Sequence, residues 1–134
     1  MYYDTTHDPP YPAARIRIST TIFGQFIQLA PINVLIDTGA DRTCIPPSAI
    51  PPQYKLPYAW HKVNAGGNVS RRKFYVLLNA KVEFIDNDEN LLLEKIHPRL
   101  ELLEFDEGLL GRDIIMHYVC EFHGPNQNCV VRNP

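Results

Sequence analysis

The sequence predicts an all-β domain, and three observations predict it. Apolar residues alternate with polar ones in short runs, glycines and prolines interrupt those runs every few positions, and only one segment near the C-terminus has helical character. About eight to ten short strands with one helix point to a closed or sandwich-like barrel.

The elements follow in chain order. Residues 1–13 carry Pro9, Pro10 and Pro12 among polar residues and read as an extended arm without a core of its own, which leaves residues 14–134 as the folded domain. Arg15-Ile16-Arg17-Ile18-Ser19 alternates polar with apolar as a half-buried strand does, and Gly24 divides residues 16–23 from 25–29 as a hairpin. Residues 33–36 form a short apolar strand aimed at Asp37. Pro46, Pro47, Pro51, Pro52 and Pro57 exclude long regular structure between them, beyond a helical turn over residues 48–50.

Residues 60–63 and 73–78 flank Ala65-Gly66-Gly67-Asn68, which reads as a hairpin with a glycine tip. The basic cluster Arg71-Arg72-Lys73 is expected on a loop, and Trp60 as a packing anchor. Ala80, Val82 and Phe84 alternate with Lys81 and Glu83 in a further strand. Residues 86–90 are a polar turn, and 91–96 and 100–105 are two more strands. After Gly108-Leu109-Leu110-Gly111, residues 112–118 form the helix. Residues 119–122 and 129–132 then flank the turn Gly124-Pro125-Asn126.

A chain of 134 residues makes one hydrophobic core and not two full lobes. Thirteen Lys+Arg against fifteen Asp+Glu leave a formal charge of -2, so no large basic field serves nucleic acid or an anionic membrane. No apolar run approaches the roughly 20 residues that span a bilayer. Met1-Tyr2-Tyr3-Asp4 lacks the apolar stretch of a secretory signal, so a soluble cytoplasmic protein is expected. Cys44 reads as a small buried strand residue. Cys120 and Cys129 could face each other across the terminal hairpin, but reduced thiols are the expectation in a reducing compartment. The histidines are scattered without ligand spacing, and no metal or cofactor is expected.

The chemistry concentrates at Leu35-Ile36-Asp37-Thr38-Gly39-Ala40. An apolar approach lowers solvation around the carboxyl and opposes its ionisation. Thr38 has a hydroxyl to brace a turn, and Gly39 removes side-chain bulk where a second backbone must come close. Taken alone, the run reads equally as a strand ending in a surface Asx turn. A second element, Leu109-Leu110-Gly111-Arg112-Asp113, breaks that tie.

Residues 35–46, "LIDTGADRTCIP", with "GLLGRDII" and the glycine hairpin between them, resemble the retropepsin family of aspartic peptidases. The terminal "MHYVCEFHGPNQNCVV" is similar to its bacterial single-domain members. The resemblance covers residues 15–132 and implies a closed barrel with a flap hairpin and one short C-terminal helix. It implies that Asp37 is the catalytic carboxylate and that Thr38 bonds across a dimer axis. Gly39, Ala40 and Asp41 would meet substrate, and Ala65, Gly66 and Gly67 would form the flap tip. Leu109 and Leu110 would line the pocket and support the catalytic loop, with Gly111 and Arg112 in structural support and Arg112 paired with Asp41.

Two carboxylates about 3 Å apart share one proton because both cannot ionise together. One takes a proton from the attacking water, and the other donates to the developing oxyanion. Asp106 lacks the apolar approach, and Asp113 follows the glycine motif on the helix, so neither reads as the second carboxylate. The resemblance therefore implies a homodimer acting on a peptide or protein substrate, with the missing carboxylate supplied by another Asp37. Ala40, where pepsin-type enzymes carry a hydroxyl residue, implies an optimum nearer neutrality. Two departures stand out: an N-terminal arm rich in proline and tyrosine, and a terminal hairpin in place of a single strand. The alternative is a catalytically weak or inactive dimerisation or peptide-binding module. The intact Asp37-Thr38-Gly39 argues against it, because such a module has no need of that carboxyl.

Overall fold

The computed structural model describes residues 1–6 and 11–134, so His7, Pro9 and Pro10 of the expected arm lie outside the described residues. Of that arm, β1 (Tyr2–Asp4) pairs with the start of β2 (Tyr11–Ile22), where Ala13 and Ala14 are buried. β2 alternates as expected, with Ile16 and Ile18 inward and Arg17 outward. It turns through Phe23 and Gly24, both at positive φ, into β3 (Gln25–Gln28). β4 (Ile32–Ile36) then runs antiparallel to the first half of β2.

β5 (Thr43–Ile45) is wholly buried and ends at Pro46, where a 3-10 turn (Pro47–Ala49) begins. The expected glycine-tipped hairpin is β6 (Ala59–Ala65) against the start of β7 (Asn68–Ile85), with Ala65 opposite Asn68. Gly66 at φ 59° and Gly67 at φ 81° make the two-residue tip. A turn with positive φ at both central residues matches the twist of its strands, and glycine adopts it without steric cost.

β7 is a single strand where the sequence reads two, and β8 (Leu91–Glu104) likewise merges two expected strands. The apparent break is a bend. Asn79 sits at φ 50°, and the β7–β8 ladder passes from Leu78↔Arg99 to Ala80↔His97. Pro98, opposite Asn79, has no N–H to offer the ladder. The Thr20 hydroxyl donates to the Leu78 carbonyl at 2.8 Å and satisfies that acceptor beside the bend. The cluster Arg71-Arg72-Lys73 lies on β7 and not on a loop: Arg71 stacks over Trp60, Arg72 over Phe105 and Lys73 over Tyr58. Trp60 is an exposed ring held between Arg71 and Tyr58, not a buried anchor.

After β9 (Leu109–Leu110), α1 (Arg112–Ile115) is only four residues long, shorter than the segment expected. β10 (Val119–His123) and β11 (Asn128–Arg132) form the terminal hairpin, and β11 also pairs with β1. Cys120 faces Val131 and Cys129 faces Phe122, so the two cysteines lie on a diagonal, and both are free thiols.

Six strands close a mixed barrel in the order β2–β4–β9–β5–β8–β7, with β7 returning to β2. The β4–β9 and β5–β8 pairs are parallel, and the rest are antiparallel. Inside lie Ile16, Ile18, Val34, Leu77, Val82, Phe84, Leu100, Leu102 and Leu110, capped by Ile114 of α1. The Phe84 ring meets Tyr118 edge-on at 5.2 Å. Burying a side chain of that size stabilises the fold by about 2–3 kcal/mol.

The β2–β7 seam carries a cross-strand pair, Arg17 and Glu83. Arg17 donates from Nε and Nη2 to the two Glu83 oxygens, at 3.2 and 3.0 Å, and Glu83 is buried. The hydrogen bonds from Arg17 hold the Glu83 carboxyl below the usual range against the opposing effect of burial. A depressed carboxylate pKa stabilises the fold above the unfolded value, and that contribution is lost as pH falls through the folded value. Glu83→Gln should therefore cost about 1–3 kcal/mol at pH 7. Denaturant titrations at pH 7 and near pH 3 should show the cost shrinking at the acid end; equal costs at both would contradict the ion pair.

Candidate active site

Asp37 follows the last residue of β4, and its backbone is clamped from both sides. Leu35 N–H donates to the Gly108 carbonyl and Asp37 N–H to the Leu110 carbonyl, each at 3.0 Å. These bonds continue the parallel β4–β9 ladder to the end of the strand. The chain then turns: Ala40 N–H donates to the Asp37 carbonyl at 3.2 Å, and Gly39 N–H donates to Asp37 Oδ1 at 2.9 Å. A Cβ on Gly39 would sit 3.3 Å from that same oxygen, so glycine keeps the carboxylate uncrowded. Asp37 is half-buried, while Thr38 and Gly39 are exposed.

The Gly111 motif supports this turn from behind. A Cβ on Gly111 would lie 2.5 Å from the Arg42 carbonyl carbon and 2.9 Å from Thr43 N, closer than packed atoms allow. Arg112 N–H donates to the Ala40 carbonyl at 2.9 Å, and its guanidinium pairs with Asp41. The predicted Arg112–Asp41 contact is thus present, at the surface.

Asp113 has a role that the sequence did not reveal. Its Oδ2 accepts Thr43 N–H at 3.1 Å, and its Oδ1 accepts the Thr43 hydroxyl at 2.8 Å and Ile114 N–H at 2.9 Å. The Thr43 hydroxyl in turn accepts Gly111 N–H at 3.2 Å. Burial raises the Asp113 carboxyl, and these hydrogen bonds oppose the rise. Asp113 therefore braces β5 against the helix start.

Beside the turn opens a pocket of about 390 Å³. One wall is Gly39, Ala40, Asp41 and Arg42, the floor is Cys44, Leu103, Phe105 and Leu109, and the opposite wall is His61, Lys62, Val63 and Asn64 of β6. Burial and the charges of Asp113 and Asp37 push the Cys44 thiol up to about 11, so it is a neutral floor residue and not a nucleophile. Arg42 ties the walls together: it donates to Glu101 at 3.0 Å, lies 3.3 Å from His61 Nε2, and stacks on Phe74.

Of the residues singled out by sequence, Gly39, Ala40, Asp41 and Leu109 meet in this pocket. Leu110 does not: its side chain is in the core, and it reaches the site through its carbonyl. The hairpin tip at Gly66 and Gly67, expected as a flap, is exposed and outside the pocket walls, and the strand below it supplies the lining. Ala65 closes the hairpin ladder opposite Asn68. Arg42, Thr43, His61 and the bracing role of Asp113 were missed, as was Tyr11, which the β2–β4 register brings opposite Asp37. Their one sequence trace is proximity to the two motifs, which Arg42, Thr43 and Asp113 share.

Gly111→Ala should destabilise the protein by about 1–3 kcal/mol, because the new methyl meets immobile backbone. Gly124→Ala, where a Cβ would have open space, is the control and should be nearly neutral. Parallel denaturation curves measure both, and equal stability of the two variants would contradict the close approach.

Residues 9–123 match the family described as retroviral aspartyl protease. No curated protein matches the chain. The closed mixed barrel with its short helix is consistent with the retropepsin fold.

Proposed function

The chain belongs to the retroviral aspartyl protease family, and from that premise we propose that it is an aspartic endopeptidase active as a homodimer. The observation that carries the reading is the placement of Asp37. Its carboxylate ends a clamped strand beside an open pocket, whereas the neighbouring aspartates are engaged in supporting the loops. Asp41 pairs with Arg112, Asp106 with Arg72, and Asp113 with Thr43 and Ile114. A second carboxylate is therefore best supplied by Asp37 of another copy, placed by a two-fold axis.

In that dimer the two Asp37 carboxylates share one proton. The ionised one takes a proton from water as the water attacks the scissile carbonyl. The protonated one donates to the oxyanion. The first then passes the water's proton to the departing amine nitrogen as the C–N bond breaks, and the second regains its proton from the diol as the acid forms. Thr38, exposed on the turn, would reach its counterpart across the axis. Gly39, Ala40, Asp41 and Leu109 would meet the peptide, with the flap of Ala65, Gly66 and Gly67 closing over it. An extended peptide suits a groove between a sheet and a hairpin, where backbone bonds supply affinity and alternate side chains fill pockets.

Asp37→Asn should abolish cleavage of a peptide library without loss of fold, as judged by unchanged circular dichroism; persisting cleavage would refute the dyad. Activity per protomer should rise with protein concentration in step with dimer formation seen by sedimentation. Constant activity from a sedimenting monomer would refute the homodimer requirement. Rate against pH should be bell-shaped, with its two limbs belonging to the coupled pair; a single-limbed profile would count against a shared proton.

A further inference from the structure

The second resident of the catalytic turn is Tyr11. Strands β2 and β4 pair antiparallel with Ala13 opposite Leu35 and Ala14 opposite Val34. Two further places along that register bring Tyr11, the first residue of β2, opposite Asp37, and on one pleated face. On its other edge Tyr11 faces Asp4 of β1. That register puts the phenol beside the Asp37 carboxylate, whose charge it feels.

We propose that Tyr11 is a positioning residue for Asp37, donating its phenol O–H to the carboxylate so that each protomer carries a pre-oriented half of the dyad. This rests on the peptidase reading above. With Gly39 N–H already on Oδ1, the Tyr11 hydroxyl is then the second donor from the same chain. A carboxylate held by two donors cannot swing freely about its last torsion, and orientation of the reacting group is what such a site contributes to rate.

The chemistry of the donor matters as much as its place. Among the described residues the charged groups facing the phenol are the carboxylates of Asp37 and Glu107, with Asp4 opposite it on β1. Burial first, and then the charge of Asp37, raise the phenol above its ordinary range. It therefore remains a neutral donor throughout the range in which a carboxylate pair titrates. A histidine or lysine there would bring a charge and compete for the shared proton. A phenol orients the carboxylate and leaves that proton to the pair.

Two measurements test this. Tyr11→Phe retains the ring and the β2 register and removes only the donor. Assayed where wild type and variant sediment as the same species, it should lower kcat about tenfold, the loss expected for one hydrogen bond to a charged group, with KM changed less than about twofold. Unchanged or increased kcat would overturn the positioning role.

The other measurement needs no turnover. With 13C-labelled tyrosine, the Tyr11 ring resonance is identified by its absence in Tyr11→Phe and titrated in wild type and in Asp37→Asn. Removing the Asp37 charge should let the phenol ionise at lower pH than in wild type. Identical titrations in an active wild type would overturn the Tyr11 proposal alone. A wild type inert at every concentration, with the titration difference intact, would overturn the peptidase reading and with it the positioning role.

Discussion

The whole site depends on one close approach, that of Gly111 to the Arg42–Thr43 peptide. There a chain segment from near the C-terminus passes so near the strand that follows the Asp37 turn that no side chain fits between them. Because it passes there, β9 can lie between β4 and β5, parallel to one and antiparallel to the other. That insertion completes the ring of the barrel and delivers the Leu110 carbonyl to Asp37 N–H. Closing the barrel and building the site are therefore a single packing event. A residue that loosened one would loosen the other.

The electrostatics around that junction rest on several local ion pairs. Arg112 faces Asp41, Arg72 faces Asp106, and Arg42 faces Glu101 while stacking on Phe74. Exposed pairs of this kind contribute little to stability, typically below about 1 kcal/mol each. Their effect is to orient. They fix the loop walls around Asp37 and keep competing carboxylates occupied.

What the sequence revealed, and what it did not, has a physical cause. Backbone constraints leave marks on residue type: only glycine fits at position 111, and a tip with two positive φ angles calls for Gly66-Gly67. Those marks, with the apolar run into Asp37, made the barrel and the core of the site legible. Thr43 and Asp113 leave no such mark, because threonine and aspartate are ordinary residues wherever they occur. Their partnership exists only once β5 is docked on α1. Tyr11 is hidden in the same way: its meeting with Asp37 is a matter of strand register, in a stretch whose prolines read as an arm. The splitting of β7 and β8 into four strands had a local cause too. Asn79 and Pro98 read as breaks, yet the opposed pair bends the ladder without ending it.

The continuity of β7 has a dynamic consequence. Over residues 81–85 this strand is bonded on both edges, to β8 and to β2, whereas over 68–73 it has only β6 beside it. Amides in the first region should exchange with solvent only when the whole barrel opens, and those in the second whenever the hairpin frays. One uninterrupted strand thus runs from the slowest-exchanging part of the molecule to one of the fastest, with the Asn79 bend between them. The β6–β7 hairpin is anchored in the barrel wall by its own backbone, and its freedom grows with distance from that anchor.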